Sequence, residues 1–339
     1  MRRRGRSGWD RSRVLRVGTV CAAVVGLTLS GCGRGAVAPA ERPERNAPAS
    51  GEYLLASSDK YYADLRATQP SVTDPRVRAN LERLIRTPVA EWLPRDLDVT
   101  AGTIRQDIAR ARAAGSIPMF VAYGIPGRDL HGESGGGQAG GDAYRQWIAG
   151  VSDEIGGNPA IVVLEPDALA HATEMSDADR AARLSLLGFA YARLLQNNPQ
   201  TAVYLDVGNS TWVEPARVAD MLRTVSPGKP VAGISLNVAN RRPDDEIRSY
   251  ATRIEQAYGH QLFVMIDSSV NGAPNTADLL DWCNPQGQKV GTLPSTRFDR
   301  DIMVEHAFIK TPGQSDGRCG TSAEPAGEFD RQLLLDQLS

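Results

Sequence analysis

A chain of 339 residues is long enough to bury one barrel-sized core or two smaller ones. The first 32 residues hold seven arginines and one aspartate; without them 31 basic residues face 39 acidic ones, a net charge of about −8. Such a mildly acidic body speaks against a nucleic-acid partner, which needs a basic face.

Residues 1–32 read as a targeting segment. Arg2, Arg3, Arg4, Arg6, Arg11, Arg13 and Arg16 form a basic stretch, and Val17 to Gly31 is an apolar run too short to span a bilayer comfortably. The run ends Leu29-Ser30-Gly31-Cys32, which resembles a bacterial lipobox with Cys32 as the lipidated residue. An ordinary signal peptide cleaved nearby is the alternative. Either way export is expected, with any membrane contact made through the N-terminal lipid alone. Cys21 lies in the discarded segment, so Cys283 and Cys319 remain as an even pair in an oxidising compartment, which predicts a disulfide; two buried thiols are the alternative. Residues 33–50, rich in Ala, Pro, Glu and Arg without apolar period, read as a disordered tether, followed by a single catalytic domain over 51–339 whose folded body starts near Leu54.

Within that body Asp74-Pro75 opens a helix to about Ile85, and Trp92 stands at the start of a loop. Helices and short apolar strands then alternate. Helices are expected at about 101–114, 143–155, from Ser176 or Asp177 to Leu195, at 215–225, 244–258 and 327–337. Strands are expected at 117–125, 161–164, 202–205, 231–238, 262–266 and 306–310, with a seventh near Tyr61-Tyr62. Repeated βα units imply a parallel sheet with right-handed crossovers, here an α/β fold closing into a distorted barrel of about seven parallel strands.

Ile161-Val162-Val163-Leu164 is the clearest of these strands, and Glu165-Pro166-Asp167 follows it. Proline ends the ladder, so Asp167 stands at the carboxyl edge where ligands gather in parallel folds. There it serves either as a helix N-cap or, held against apolar neighbours, as a proton donor. Asp129, Asp206, Asp267 and Asp316 also follow apolar strands closely. Carboxylates crowded on one rim separate in pKa, as glycoside hydrolysis requires of its acid and its partner. Trp92, Trp212, Trp282 and Tyr123 fall beside the same strand ends and suit the flat faces of sugar rings, whereas Trp147 lies inside a helix and reads as core.

The sequence resembles glycoside hydrolase family 6, the cellulase family. The stretches that carry the resemblance are Val121-Ala122-Tyr123 with Gly127-Arg128-Asp129, Val163-Leu164-Glu165-Pro166-Asp167, Leu205-Asp206-Val207-Gly208-Asn209-Ser210-Thr211-Trp212, Ile266-Asp267-Ser268-Ser269-Val270-Asn271-Gly272, Trp282-Cys283-Asn284-Pro285, and Phe308-Ile309-Lys310-Thr311-Pro312-Gly313-Gln314-Ser315-Asp316-Gly317. They stand in family order over about residues 92–320. The resemblance implies a distorted barrel that hydrolyses β-1,4-glucan with inversion, without metal or cofactor, as a monomer. It implies that Asp167 is the proton donor, that Asp129 tunes it, that Asp206 supports the site, and that Asp316 is a base or electrostatic stabiliser. It further implies sugar contacts from Tyr123, Ser134, Asn209, Lys310, Gln314, Trp92, Trp212 and Trp282, and a disulfide between Cys283 and Cys319. Leu130 replaces a usual cysteine, Gln314 a usual glutamate and Phe308 a usual tryptophan, the last two changes removing a charge and an indole donor expected near the glucan. The short interval from Pro285 to Lys310 implies an open cleft and internal cutting.

Two other readings compete. Gly132-Glu133-Ser134-Gly135-Gly136 fits the G-x-S-x-G of serine hydrolases, which needs a strand directly before it and a helix directly after. A tethered sugar-binding lipoprotein would share the lipobox and the aromatic cleft but needs no cluster of aspartates. His131, His171, His260 and His306 have no metal-ligand spacing and read as surface or core residues.

Overall fold

The computed structural model describes residues 44–54, 59–130, 132–274 and 282–339. The targeting segment with Cys21 and Cys32, the tether up to residue 43, and His131 lie outside the described residues.

Ten strands occur among the described residues: β1 Gly51–Tyr53, β2 Glu91–Trp92, β3 Ser116–Ile117, β4 Met119–Ala122, β5 Ala160–Leu164, β6 Thr201–Asp206, β7 Gly233–Leu236, β8 Phe263–Asp267, β9 Arg297–Phe298 and β10 Val304–Ala307. Seven of them form one all-parallel sheet in the order β10-β8-β7-β6-β5-β4-β2. The sheet curls until its edges nearly meet. The Ala90 N–H donates to the Phe308 carbonyl at 2.9 Å, and the Trp92 indole donates to the Ile309 carbonyl at 2.8 Å. The result is the distorted (β/α) barrel expected from the alternation of elements. A second sheet, β3-β1-β9, contains the first strand of the body, Gly51–Tyr53, three residues before the expected start at Leu54.

The central strands are apolar on both faces because both faces are covered. Val121, Ile161, Val163, Tyr204 and Met265 pack inside the barrel. Phe120, Val162, Leu164, Leu205 and Ile266 face the surrounding helices, where Trp147, Tyr191 and Tyr250 also pack. Trp147 is buried, as its place in a helix predicted.

The helices Pro215–Val225 and Asp244–Tyr258 have the expected bounds. Others shift for local reasons. Leu97–Ala114 begins four residues early because the Asp96 side chain accepts the Val99 N–H at 2.9 Å. The closing helix is Arg331–Leu338, capped by Asp330. The expected strand 117–125 is divided at Pro118, which has no N–H to donate, so β3 joins the small sheet and β4 the barrel.

The expectation of a strand near Tyr61-Tyr62 was wrong. These residues lie in a helix, Asp59–Thr68. Paired tyrosines favour strands in isolation, but Tyr61, Tyr62 and Leu65 share one helical face and pack with Phe308 and Leu334. The seventh strand is instead β2, whose two residues include Trp92 and are too few to show a period. The expected strand at His306–Lys310 is β10, which starts earlier and leaves the ladder at Phe308. Phe308 is fully buried and does not line the cleft, so its side chain is a core residue here.

Candidate active site

A cleft of about 1210 Å³ opens at the carboxyl ends of the barrel strands. Asp129, Asp167 and Asp316 line it, together with Tyr123, Ser134, Asn209, Lys310, Gln314, Trp92, Trp212 and Trp282. Of the predicted catalytic and sugar-contacting residues, Asp206 alone stands below this surface, buried under Asp167.

Asp167 is reached through a distorted turn. Glu165 and Asp167 have φ of 50° and 68°, a left-handed conformation that non-glycine residues seldom adopt, and Pro166 lies between them. The Asp167 side chain makes no capping hydrogen bond to the short helix that follows, so the N-cap reading fails. The turn is held from below. The Asp167 N–H donates to Asp206 Oδ1 at 2.9 Å, as does the Gly208 N–H at 3.0 Å, while Ser235 Oγ donates to Asp206 Oδ2 at 3.0 Å. The Tyr123 hydroxyl donates to Asp167 Oδ2 at 3.3 Å. Burial pushes the Asp167 carboxyl up to about 7, with the negative charge of Asp129 acting in the same direction. Burial and the charge of Asp167 likewise raise Asp206 well above the ordinary carboxylate range.

Tyr123 follows β4 and begins the loop that carries Asp129 and Ser134. Its ring meets Trp92 edge-on at 5.3 Å, and the Arg128 guanidinium lies 4.2 Å from its centre. Burial raises its pKa, so the phenol stays a donor. The loop is pinned at several points. Glu165 accepts the Gly124 and Ile125 N–H groups at 3.0 Å, Arg183 donates to the Pro126 and Gly127 carbonyls, and Arg128 Nε donates to the Ser134 carbonyl at 3.0 Å. Asp129 Oδ2 accepts the Ser134 N–H at 2.6 Å. A Cβ on Gly132 would come within 2.3 Å of Asp129 Oδ1, so a larger residue there would have to displace that carboxylate. This loop places no helix after Ser134 until Gly141, so the geometry of a serine-hydrolase nucleophile is absent.

Asp316 faces two cations. Lys310 Nζ lies 2.6 Å from its Oδ1, and Arg241 pairs with its Oδ2, which also accepts the Asn284 N–H at 2.9 Å. Burial alone would raise this carboxyl, but Lys310 and Arg241 outweigh it and hold it at about 2. Asn284 is joined to the same segment a second time, its Oδ1 accepting the Asp316 N–H at 2.9 Å. A disulfide links Cys283 to Cys319, as predicted, and so ties the segments that carry Trp282 and Asp316.

The aromatic residues divide by exposure. Trp212 and Trp282 are 40% and 47% exposed and offer free ring surface to the cleft, whereas Trp92 is half-buried. Asn209 supports the Trp212 loop by accepting the Thr211 N–H at 3.0 Å and donating to Asn240 at 3.1 Å. Two of the cleft residues that the sequence does not single out for the site touch predicted site residues directly. Arg241 sits in an Asn-Arg-Arg-Pro stretch with no recognisable signal, and its partner Asp316 lies 75 positions away. His171 was read as surface or core, yet it lines the cleft and stacks on Trp212 at 6.0 Å. Its position one helical turn after Asp167 was the available clue. His260 packs edge-on to Tyr258, and His306 pairs with Asp244.

A buried carboxyl with a raised pKa, an ion-paired carboxylate and exposed tryptophans on the strand-end face of a parallel barrel are the equipment of a glycoside hydrolase. The comparisons agree. Residues 51–332 match the family described as Glycosyl hydrolases family 6, and the chain belongs to that family. Endoglucanase A of Cellulomonas fimi is 34% identical over 291 residues, covering 85% of this chain and 61% of that protein. The chain therefore spans less than two thirds of that relative's length. Endoglucanase 1 of Streptomyces halstedii is 32% identical, with 94% of this chain and 96% of that protein covered. Among solved structures, the endoglucanase Cel6 of Mycobacterium tuberculosis, in complex with methyl-cellobiosyl-4-deoxy-4-thio-β-D-cellobioside, is 34% identical; its TM-score is 0.72, with 85% of this chain and 96% of that chain covered.

Proposed function

We propose that this glycoside hydrolase is an inverting endo-β-1,4-glucanase acting on cellulose-like glucans. The observation that carries the reading is the contrast between two carboxyl groups in one cleft, Asp167 raised to about 7 and Asp316 lowered to about 2. Near neutral pH the first retains a substantial protonated fraction and the second is an anion. Asp167 gives its proton to the glycosidic oxygen as the bond breaks, water attacks the anomeric carbon from the opposite face and releases one proton to the surrounding water, and Asp167 regains a proton from solvent before the next turnover. Positive charge develops on the sugar ring, and the Asp316 carboxylate opposes it. Trp212 and Trp282 carry sugar rings on their exposed faces, and Tyr123 orients the donor. The endoglucanases among its relatives and the short interval from Pro285 to Lys310 support internal cutting.

Reducing-end release and viscosity on carboxymethylcellulose and mixed-linkage glucan test the reading, with the anomer first formed followed by NMR. Rapid viscosity loss and release of the α-anomer are expected. Binding of cello-oligosaccharides without turnover on any β-glucan would replace the enzyme by a sugar-binding protein.

Asp129 offers a sharper check. The donor works protonated, so activity falls as pH rises through about 7. Asp129→Asn removes a charge that helps keep Asp167 protonated. The alkaline limb of kcat/KM should therefore move to lower pH, by about 1 unit. An unmoved limb would separate Asp129 from the donor.

The Leu-Ser-Gly-Cys sequence supports a protein exported and anchored by lipid at Cys32 to the outer face of the membrane. Labelled palmitate should enter the full chain and not Cys32→Ser.

A further inference from the structure

Five aspartates follow apolar strands of the barrel, and Asp267 has no part in the chemistry described so far. It ends β8, is 1% exposed and does not line the cleft. Its carboxylate accepts four backbone N–H groups. Oδ1 takes those of Ser269 at 3.0 Å and Ile309 at 3.2 Å; Oδ2 takes those of Ala239 and Lys310, each at 2.9 Å. Burial pushes this carboxyl up, and the N–H groups oppose that rise.

The two donors to Oδ2 belong to the two segments that supply the cations of Asp316. Lys310 follows β10, and its ammonium reaches Asp316. Ala239 lies two residues before Arg241, and Arg241 Nη1 donates to the Ala239 carbonyl at 3.0 Å. Ala239 has a φ of 56°, a conformation that costs an alanine energy and persists only when its surroundings impose it. One buried oxygen thus fixes both backbones at the depth from which both side chains reach Asp316.

We propose that Asp267 is a positioning residue for the glucanase site, holding the Ala239–Arg241 and Ile309–Lys310 segments so that Arg241 and Lys310 clamp Asp316. The proposal rests on the functional reading above for its kinetic consequence and on the hydrogen bonds alone for its structural one. Among the described residues three groups face the Asp316 carboxylate: Lys310 after β10, Arg241 after β7 and the Asn284 N–H from the disulfide-linked segment. If the cations retreat, burial is no longer outweighed, and Asp316 takes up a proton at higher pH than before.

Asp267→Asn tests this, because an amide keeps one acceptor oxygen and turns a donor toward the N–H groups of the other. The folded variant should lose at least about tenfold in kcat with KM within about threefold, and the acid limb of kcat/KM should move upward by about 1 pH unit. Added to Lys310→Ala, the same change should cost less than about threefold further, since both act on Asp316. An unmoved acid limb, or activity that only follows the folded fraction, would overturn the proposal.

A second measurement covers a variant that fails to fold and needs no activity. In Asp316→Ala, amide hydrogen exchange at Ala239 and Lys310 should stay as slow as in the wild type, because their acceptor lies beneath them. Loss of protection there would show that the ion cluster holds the loops, and would overturn the proposal. A wild type inactive on every glucan would sink the functional reading and leave this exchange result standing.

Discussion

Asp167→Ala is expected to lower kcat on cello-oligosaccharides by about 10²–10⁴-fold, the range that general acid catalysis contributes. That corresponds to about 3–5 kcal/mol of transition-state stabilisation. The cause is specific, so the loss should depend on the leaving group. A substrate that departs as dinitrophenolate needs little protonation and should lose far less than a sugar. KM should change little, since on the proposed reading Trp212 and Trp282 carry the rings and the substitution leaves them in place. Equal turnover of oligosaccharides by both proteins would remove Asp167 from the donor role. Stability should move the other way. The folded pKa of about 7 lies above the unfolded value of roughly 3.9, so Asp167 favours folding below the unfolded value and loses that contribution as pH rises through the folded one. The alanine variant should therefore gain stability relative to the wild type at pH 8, and much less at pH 4. Denaturation midpoints at the two pH values measure this directly.

Removing the disulfide should have the largest effect on stability. Cys283 and Cys319 are 36 positions apart, and opening that loop costs about 4 kcal/mol in the chain-entropy account. Cys283→Ser/Cys319→Ser should lower the free energy of unfolding by about that amount. Activity should fall too. Asn284, next to Cys283, exchanges two hydrogen bonds with Asp316 and donates to the Gly317 carbonyl at 2.8 Å. Loosening the bridge loosens the anion, while the turn at Asp167 rests on Asp206 and stays in place. The expected pattern is a lower kcat with an unchanged alkaline limb. Equal unfolding midpoints under oxidising and reducing conditions would show that the bridge contributes nothing to stability.

Much of the barrel was legible because buried parallel strands announce themselves. Ile161 to Leu164 and Ala202 to Leu205 are apolar at every position, as two covered faces require. The amphipathic helices at Pro215–Val225 and Asp244–Tyr258 were equally plain. The edges were not. Strand β2 has two residues, and β10 ends where Asp267 takes the next N–H groups away from the ladder. The first leaves no period, and the second is expected from the sequence two residues late at its start and three at its end. Tyr61-Tyr62 misled because a β-favouring pair can sit on a helix when its neighbours complete a helical face.

The sequence by itself determined the kinds of groups this protein has and their order: apolar runs ending in aspartates, tryptophans beside them, and six family stretches in succession. Only the tertiary structure decided what each group does there. It seated Asp167 on the cleft and Asp206 beneath it, buried Phe308, set Asp267 to binding backbone, and brought Arg241 to Asp316 across 75 positions. The reason is physical. Hydrophobic period is a local property of the chain, whereas a carboxyl group's charge at neutral pH depends on burial and on cations that only folding brings near.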